Sequence, residues 1–328
     1  MNFKIWKLLF LTSLLMSIMI TISAFSWLNM WLGLEINMLS IIPLMTSTKN
    51  MYSTESSLKY FIVQAMASSL LLLTIILMSM KLMNINFMMM MNSALLIKLG
   101  AAPFHFWFPE VMEGQMWSMC FILLTAQKIS PLMLINYNMN LSYFMIIIII
   151  MNMLISAFMG LNQISMRKIL TFSSINHIGW MIASIMFMKI IWLFYFMVYV
   201  VILINITYLL NFLKIYYIKQ IIKINFPINF KMIFMFNFFS LGGLPPFIGF
   251  LPKWLTIQMM MNNNLYLIMT IMVMLTLLTL FYYLRLMMSS LMFSKFNYYS
   301  YFMLNNYIIY LNIISMLFLP LTFLIFMM

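Results

Sequence analysis

The chain has 328 residues, 66% of them hydrophobic and only 6% charged, with a formal net charge of +13. A soluble domain carries roughly 25% charged residues, so this composition cannot build a water-facing surface. The basic excess reflects missing acid, 17 Lys and Arg against Glu35, Glu55, Glu110 and Glu113 with no Asp, and its scatter between apolar runs argues for a membrane rather than nucleic acid.

A spanning helix needs about 20 apolar residues. The first run, 5–23, follows Lys4 and resembles a signal peptide in its charge. No small-residue cleavage site follows, and Ser26-Trp27 leads into more apolar sequence, so the run is expected to remain as span one. Spans two to eleven are predicted at about 26–46, 58–80, 87–108, 117–137, 142–161, 168–188, 190–213, 232–259, 264–287 and 304–327. These runs are continuously apolar instead of alternating, which disfavours a β-barrel. The predicted fold is therefore all-α, a polytopic membrane protein of about 11 transmembrane helices. A single cysteine, Cys120, excludes a disulfide framework, a four-thiolate zinc site and a thiolate-held iron–sulfur cluster within the chain.

Eleven crossings sort the bases onto two faces. Lys4, Lys7, Lys49, Lys59, Arg167, Lys168, Lys214, Lys219, Lys223, Lys231, Arg285 and Lys295 share the N-terminal face, while only Lys81 and Lys189 fall on the other. That asymmetry predicts an N-terminus on the positive side of the membrane. Lys98, Lys128 and Lys253 belong to neither face, because they lie within predicted helices.

The stretch LGAAPFHFWFP at 99–109 is echoed by LGGLPPFIGFLP at 241–252, five spans later. An odd separation turns the second copy upside down, which is the pattern of inverted repeats built around interrupted helices. One integral membrane domain, 1–328, is predicted. It comprises a first five-helix repeat over 1–137, a second, inverted one over 142–287, a C-terminal helix over 304–327 and two broken helices. The alternative is that Gly and Pro are simply common in membrane helices.

Glu35 lies in the middle of span two, about 13 Å from either end at 1.5 Å per residue. A lone buried acid costs at least ~2.5–3.5 kcal/mol, so it is expected to pair with Lys98 of span four, with Lys128 of span five next along a polar line. Pro103 removes a helical hydrogen bond from the Leu99 carbonyl, and His105, seven residues from Lys98, is placed on the same face as a relay. In span nine, Gly242, Gly243, Pro245, Pro246, Gly249 and Pro252 precede Lys253, and such backbone is tolerated in a membrane only where buried or beside water. His177 has polar neighbours Ser173, Ser174 and Asn176 and is a candidate bridge between the halves. Glu55 and Lys59 form an i,i+4 pair read as structural. Glu110 and Glu113 are read as loop acids or proton collectors. Against each functional reading stands a bland one, a structural ion pair, a packed histidine or a snorkelling lysine.

At GLEINMLSIIPL, STESSLKYF, KLGAAPFHFWFPE, GLNQISMRKILTFSSINHIGW and SLGGLPPFIGFLPKW the sequence resembles the chain 2 family of mitochondrial NADH–ubiquinone oxidoreductase in an insect-like form, over about residues 26–290. The resemblance implies an antiporter-like, proton-translocating subunit in the membrane arm of respiratory complex I. It places the family's relay residues on Glu35, Lys98, Lys128 and Lys253, with the histidines on His105 and His177. It implies no cofactor in this chain, with NADH, FMN, iron–sulfur clusters and ubiquinone held by other subunits. Its partners would be other membrane-arm subunits and membrane lipids, cardiolipin among them, and no nucleic acid. The expected location is the mitochondrial inner membrane, with the N-terminus in the matrix and the C-terminus in the intermembrane space. Encoding in the organelle would account for the absent targeting sequence. In that setting quinone reduction elsewhere perturbs the Glu35–Lys98 pair, and an ammonium deprived of its counter-charge hands its proton on. Two rivals remain at this stage, a stand-alone sodium/proton antiporter and a passive scaffold subunit.

Overall fold

Backbone in hydrocarbon must satisfy its own N–H and C=O groups, and apolar runs of this length do so as helices. The computed structural model describes residues 5–47, 50–80, 85–138, 143–223, 236–245 and 247–292. Among these residues the only extended feature is an isolated antiparallel bridge between Ser165 and Tyr217. The predicted C-terminal helix over 304–327 lies outside the described residues, as do Pro246 and the bases Lys4, Lys49, Lys81, Lys231 and Lys295. The chain divides into two units, Met1–Ile148 and Ile149–Met328.

The first unit contains α1 (Ile5–Ser23), α2 (Trp27–Met45), α3 (Met51–Ser79), α4 (Ile85–Leu99), α5 (Trp107–Gly114), α6 (Trp117–Leu124), α7 (Ala126–Tyr137) and the start of α8 (Tyr143–Leu161). Helices in lipid associate through close packing of small residues, and α1 meets α2 in this way. A Cβ on Gly33 would stand 2.5 Å from Thr21 Cγ2 and 3.2 Å from the Ser17 carbonyl. Ser17 and Thr21 turn their hydroxyls back onto the carbonyls of Leu14 and Ile18, so these polar groups leave the interface dry. Helix α3 begins at Met51 rather than near 58, because the polar segment before the apolar run is helical too. Its 29 residues span about 43 Å at 1.5 Å per residue, longer than the ~30 Å hydrocarbon layer. The turns carrying Glu55 and Lys59 therefore project beyond the apolar zone.

The second unit contains the rest of α8, then α9 (Met166–Phe187), α10 (Lys189–Leu213), α11 (Ile218–Lys223), α12 (236–242), α13 (Phe250–Asn262) and α14 (Tyr266–Met292). Helix α9 is buried along almost its whole length, with α8, α10 and α13 packed against it. That position explains how its Ser173, Ser174, Asn176 and His177 sit away from lipid. Arg285 of α14 donates to the carbonyls of Leu161 and Gln163, satisfying groups that the C-terminal end of α8 leaves open.

Eight spans among the described residues are long and apolar enough to cross a membrane, with α6 and α7 together making one of them. Two predicted spans depart from this pattern. The run 87–108 divides into α4 and α5, and within the run 232–259 helix is interrupted between α12 and α13. A third interruption, at Thr125 between α6 and α7, was not anticipated.

Candidate functional site

Among the described residues the buried lysines, Lys98, Lys128 and Lys253, each stand beside an interruption. Helix α4 ends at Leu99, where Gly100 adopts φ +70° and the Ala101 N–H reaches back to the Leu96 carbonyl at 3.0 Å. This is a left-handed helix end of the kind glycine favours. A side chain on Gly100 would press on Phe108 and Trp107 at 3.1–3.2 Å. The last-turn carbonyls are taken up by side chains from outside the helix. Trp107 Nε1 donates to Ile97 O at 3.1 Å, and Gln64 Nε2 donates to Lys98 O at 3.4 Å. Lys98, one residue before the end, is 7% exposed, and a cation there complements the negative end of the helix dipole. His105 does not share a helical face with it, because the seven-residue spacing requires a helix that has already ended. The histidine lies buried in the connection, its Nδ1 3.2 Å from the Pro103 carbonyl and its ring against Phe106.

The expected Glu35–Lys98 ion pair is not a direct contact. Among the described residues, ion pairs within 4.0 Å are confined to Lys59 with Glu55 and Glu110. Glu35 remains near enough to act on the Lys98 ammonium through space. What touches Lys98 is a cavity of about 10 Å³ whose polar walls are Asn37, Tyr60, Gln64, Gln127 and Ser130. Four of these side chains form a file of hydrogen bonds. Tyr60 Oη donates to Gln127 Oε1 at 3.0 Å, Gln127 Nε2 to Asn37 Oδ1 at 2.7 Å, and Asn37 Nδ2 to Ser130 Oγ at 3.1 Å. Lys128, 1% exposed, does not line this cavity and instead sets its ammonium 5.7 Å from the centre of the Phe108 ring. Helix α7 thus presents Gln127 and Ser130, not Lys128, to Lys98.

In the second unit, α12 ends much as α4 does. Gly243 adopts φ +77°, and the Leu244 N–H reaches back to Phe239 O at 3.3 Å. The echo between 99–109 and 241–252 aligns Gly100 with Gly242, so the left-handed glycines differ by one position. The carbonyls of Leu241 and Gly242, four residues before Pro245 and Pro246, are both met by Lys253 itself. Its Nζ donates to them at 3.1 and 2.8 Å, while the ammonium lies 5.9 Å from the centre of the Trp180 ring. Pro252 strands no carbonyl, because α13 starts at Phe250 and a first-turn N–H needs no helical partner. His177 Nδ1 lies 2.8 Å from Tyr195 Oη, with the Tyr199 ring close by. Tyr199 bonds Ser174, Tyr283 bonds Ser173, and Asn176 donates to Thr279. The histidine therefore sits in a buried hydroxyl-rich cluster joining α9, α10 and α14.

Glu110 lies on α5, not in a loop, and completes an exposed triad in which Lys59 Nζ stands 3.0 Å from Glu55 and 2.9 Å from Glu110. Glu113 lies on the same short helix.

Residues 24–279 match the family model for the transmembrane NADH:quinone oxidoreductase/Mrp antiporter proteins. NADH-ubiquinone oxidoreductase chain 2 of Anopheles gambiae is 48% identical over 299 residues, covering 88% of this chain and 87% of the relative. The chain belongs to the NADH:quinone oxidoreductase/Mrp antiporter family. Solved structures share its fold at low identity. A chain of respiratory complex I from Thermus thermophilus with bound aureothin superposes with a TM-score of 0.85 at 19% identity, covering 97% of this chain and 78% of that one. A chain of the Mrp complex from Dietzia sp. gives 0.74 at 15% identity, covering 89% and 61%.

For a member of this family the site extends beyond the ionisable residues that sequence reasoning selected. Asn37, Tyr60, Gln64, Gln127 and Ser130 were not among them, nor were Tyr195, Tyr199 and Tyr283. A usable signal existed for three of these. Asn37, Gln64 and Gln127 are amides inside otherwise apolar runs, where an unpaired polar group is expensive.

Proposed function

We propose that this chain is a proton-translocating core subunit of the membrane arm of respiratory complex I, in the mitochondrial inner membrane. The observation that carries the reading is the placement of Lys98, Lys128 and Lys253, each at least nine-tenths buried and each within a few residues of a helix interruption. Structural adhesion is a poor reason for three such groups, because buried charges contribute little net stability. The relatedness to NADH-ubiquinone oxidoreductase chain 2 proteins supplies the electron-transfer setting. In this reading NADH, FMN, iron–sulfur clusters and ubiquinone belong to other subunits of the assembly. Moving one charge against the membrane potential costs ~2.3 kcal/mol per 100 mV, so the energy comes from those partners.

The relay consists of Glu35, Lys98, His105, Lys128, His177 and Lys253. Glu35 sets the field on Lys98, and the polar cavity conducts from Lys98 toward α7. Lys253 is the terminal group. Eight membrane-length spans, two interrupted ones and the apolar run at 304–327 bring the count to eleven, with the N-terminus in the matrix. The similar glycine-ended breaks at Gly100 and Gly243 support two inverted five-helix repeats. Lys98→Ala in the assembled complex tests the reading, with NADH oxidation and proton release measured together in sealed vesicles. The proton-to-electron ratio is expected to fall. A normal ratio in an assembled variant overturns the relay.

A further inference from the structure

Lys98 and Lys128 are both buried in the first unit, yet only Lys98 lines the polar cavity. The cavity that Lys98 lines also holds the amide pair Gln127–Asn37, the shortest link in the file of hydrogen bonds that begins at Tyr60 and ends at Ser130. Three properties of that pair are unusual for membrane helices. Both amides line one cavity with Lys98. They come from α2 and α7, so the link depends on two helices keeping their spacing. Every donor in the file points the same way, leaving the Ser130 hydroxyl at its end.

A cavity of about 10 Å³ is at the lower limit for one water, which also needs two to four polar partners. Lys98, Gln64, Gln127, Asn37 and Ser130, which line it, more than supply them. Neutral amides neither take up nor release protons readily, so Gln127 and Asn37 cannot themselves be relay stations. They can fix where a water sits and which way its lone pairs face.

We propose that Gln127 and Asn37 are positioning residues that hold a single water against the Lys98 ammonium, and that this water is the first acceptor for the proton Lys98 gives up. The inference rests on the relay reading of Lys98. The amide pair keeps the water's lone pair on the lysine side and its hydrogens toward Ser130. It thereby bridges the gap left by Lys128 facing Phe108. Because the pair spans α2 and α7, a small change in their spacing breaks the 2.7 Å link and releases the water.

The test uses the assembled complex carrying Gln127→Leu, Asn37→Leu or both, with the Lys98→Ala complex as comparator. Each single variant is expected to oxidise NADH and to lower the proton-to-electron ratio to the Lys98→Ala value. The double variant is expected to fall no further, because both amides act through one water. An unchanged ratio in either assembled amide variant, with Lys98→Ala lowered, overturns the water bridge and leaves the relay standing. A normal ratio in Lys98→Ala removes the relay itself. Losses that multiply in the double variant overturn the shared water. A density map of the wild-type complex that resolves ordered waters decides the case independently of how the variants assemble. Density for a water within hydrogen-bond distance of Lys98 Nζ, Gln127 and Asn37 supports the proposal, and a dry cavity overturns it.

Discussion

Gly243→Ala is expected to damage the second helix interruption far more than Gly242→Ala, one residue away. At φ +77° an alanine bears a left-handed backbone cost of about 1–2 kcal/mol. Its Cβ would stand 2.7 Å from Lys253 Cδ and 3.0 Å from Nζ, whereas carbon atoms settle at about 3.5–4.0 Å. The lysine must withdraw by roughly 1 Å. Its ammonium now lies 2.8 and 3.1 Å from two carbonyls, so the withdrawal takes at least one of them out of range. A charge-assisted hydrogen bond contributes about 1.5–3 kcal/mol, and with the backbone cost the combined loss is about 2.5–5 kcal/mol. A Cβ on Gly242 meets only Leu280 and Tyr283 at 3.5–3.7 Å, ordinary contact. The assay is NADH-driven acidification in sealed vesicles, with thermal inactivation of the complex followed in parallel. The Gly243 variant is expected to lose pumping and thermal stability while the Gly242 variant keeps both. Equal behaviour of the two would refute the assignment of Lys253 as the cap of α12.

Gly249→Ala is expected to block assembly outright, since its Cβ would lie 1.7 Å from the Ser240 carbonyl and only parting the two half-helices makes room; subunit incorporation on native gels checks this. Gly33→Ala is expected to destabilise the α1–α2 pair by about 1–3 kcal/mol through overpacking against Thr21. Adding Thr21→Ser removes the clashing methyl, keeps the hydroxyl, and is expected to restore part of the loss in thermal inactivation. Lys59→Ala removes both exposed ion pairs and is expected to leave the proton-to-electron ratio and thermal stability unchanged, because such pairs are well screened by solvent. Residue-specific labelling is expected to reach the N-terminus only from the matrix side and the C-terminus only from the other, and labelling of both from one side would contradict eleven crossings.

Apolar run length made most of the helices legible, because hydrocarbon leaves the backbone few alternatives. Gly100 and the Gly/Pro cluster at 242–252 likewise announced two of the interruptions. The third, at Thr125, has no glycine or proline at the break itself. Its nearest sign was Pro131, which removes the donor for the Gln127 carbonyl inside α7. The buried lysines were legible because a charge in a membrane helix is rare and costly. Their partners were not. Sequence spacing placed His105 beside Lys98 by assuming an unbroken helix, and charge pairing placed Glu35 in contact with Lys98. The Tyr60–Gln127–Asn37–Ser130 file depends on α2, α3 and α7 converging, which no local pattern encodes. Self-capping by Lys253 was hidden for a similar reason, since it links a side chain to carbonyls 11 and 12 residues earlier.

That cap bears on which hydrogen the lysine can surrender. An ammonium carries three, and two of those on Lys253 are engaged with the carbonyls of Leu241 and Gly242. Losing either one would turn a lone pair toward a carbonyl oxygen and push the two half-helices apart. Only the third can depart while the backbone stays at rest. The fold therefore gives the amine a front and a back, and in the proposed relay a proton passing through Lys253 would take its direction from main-chain geometry.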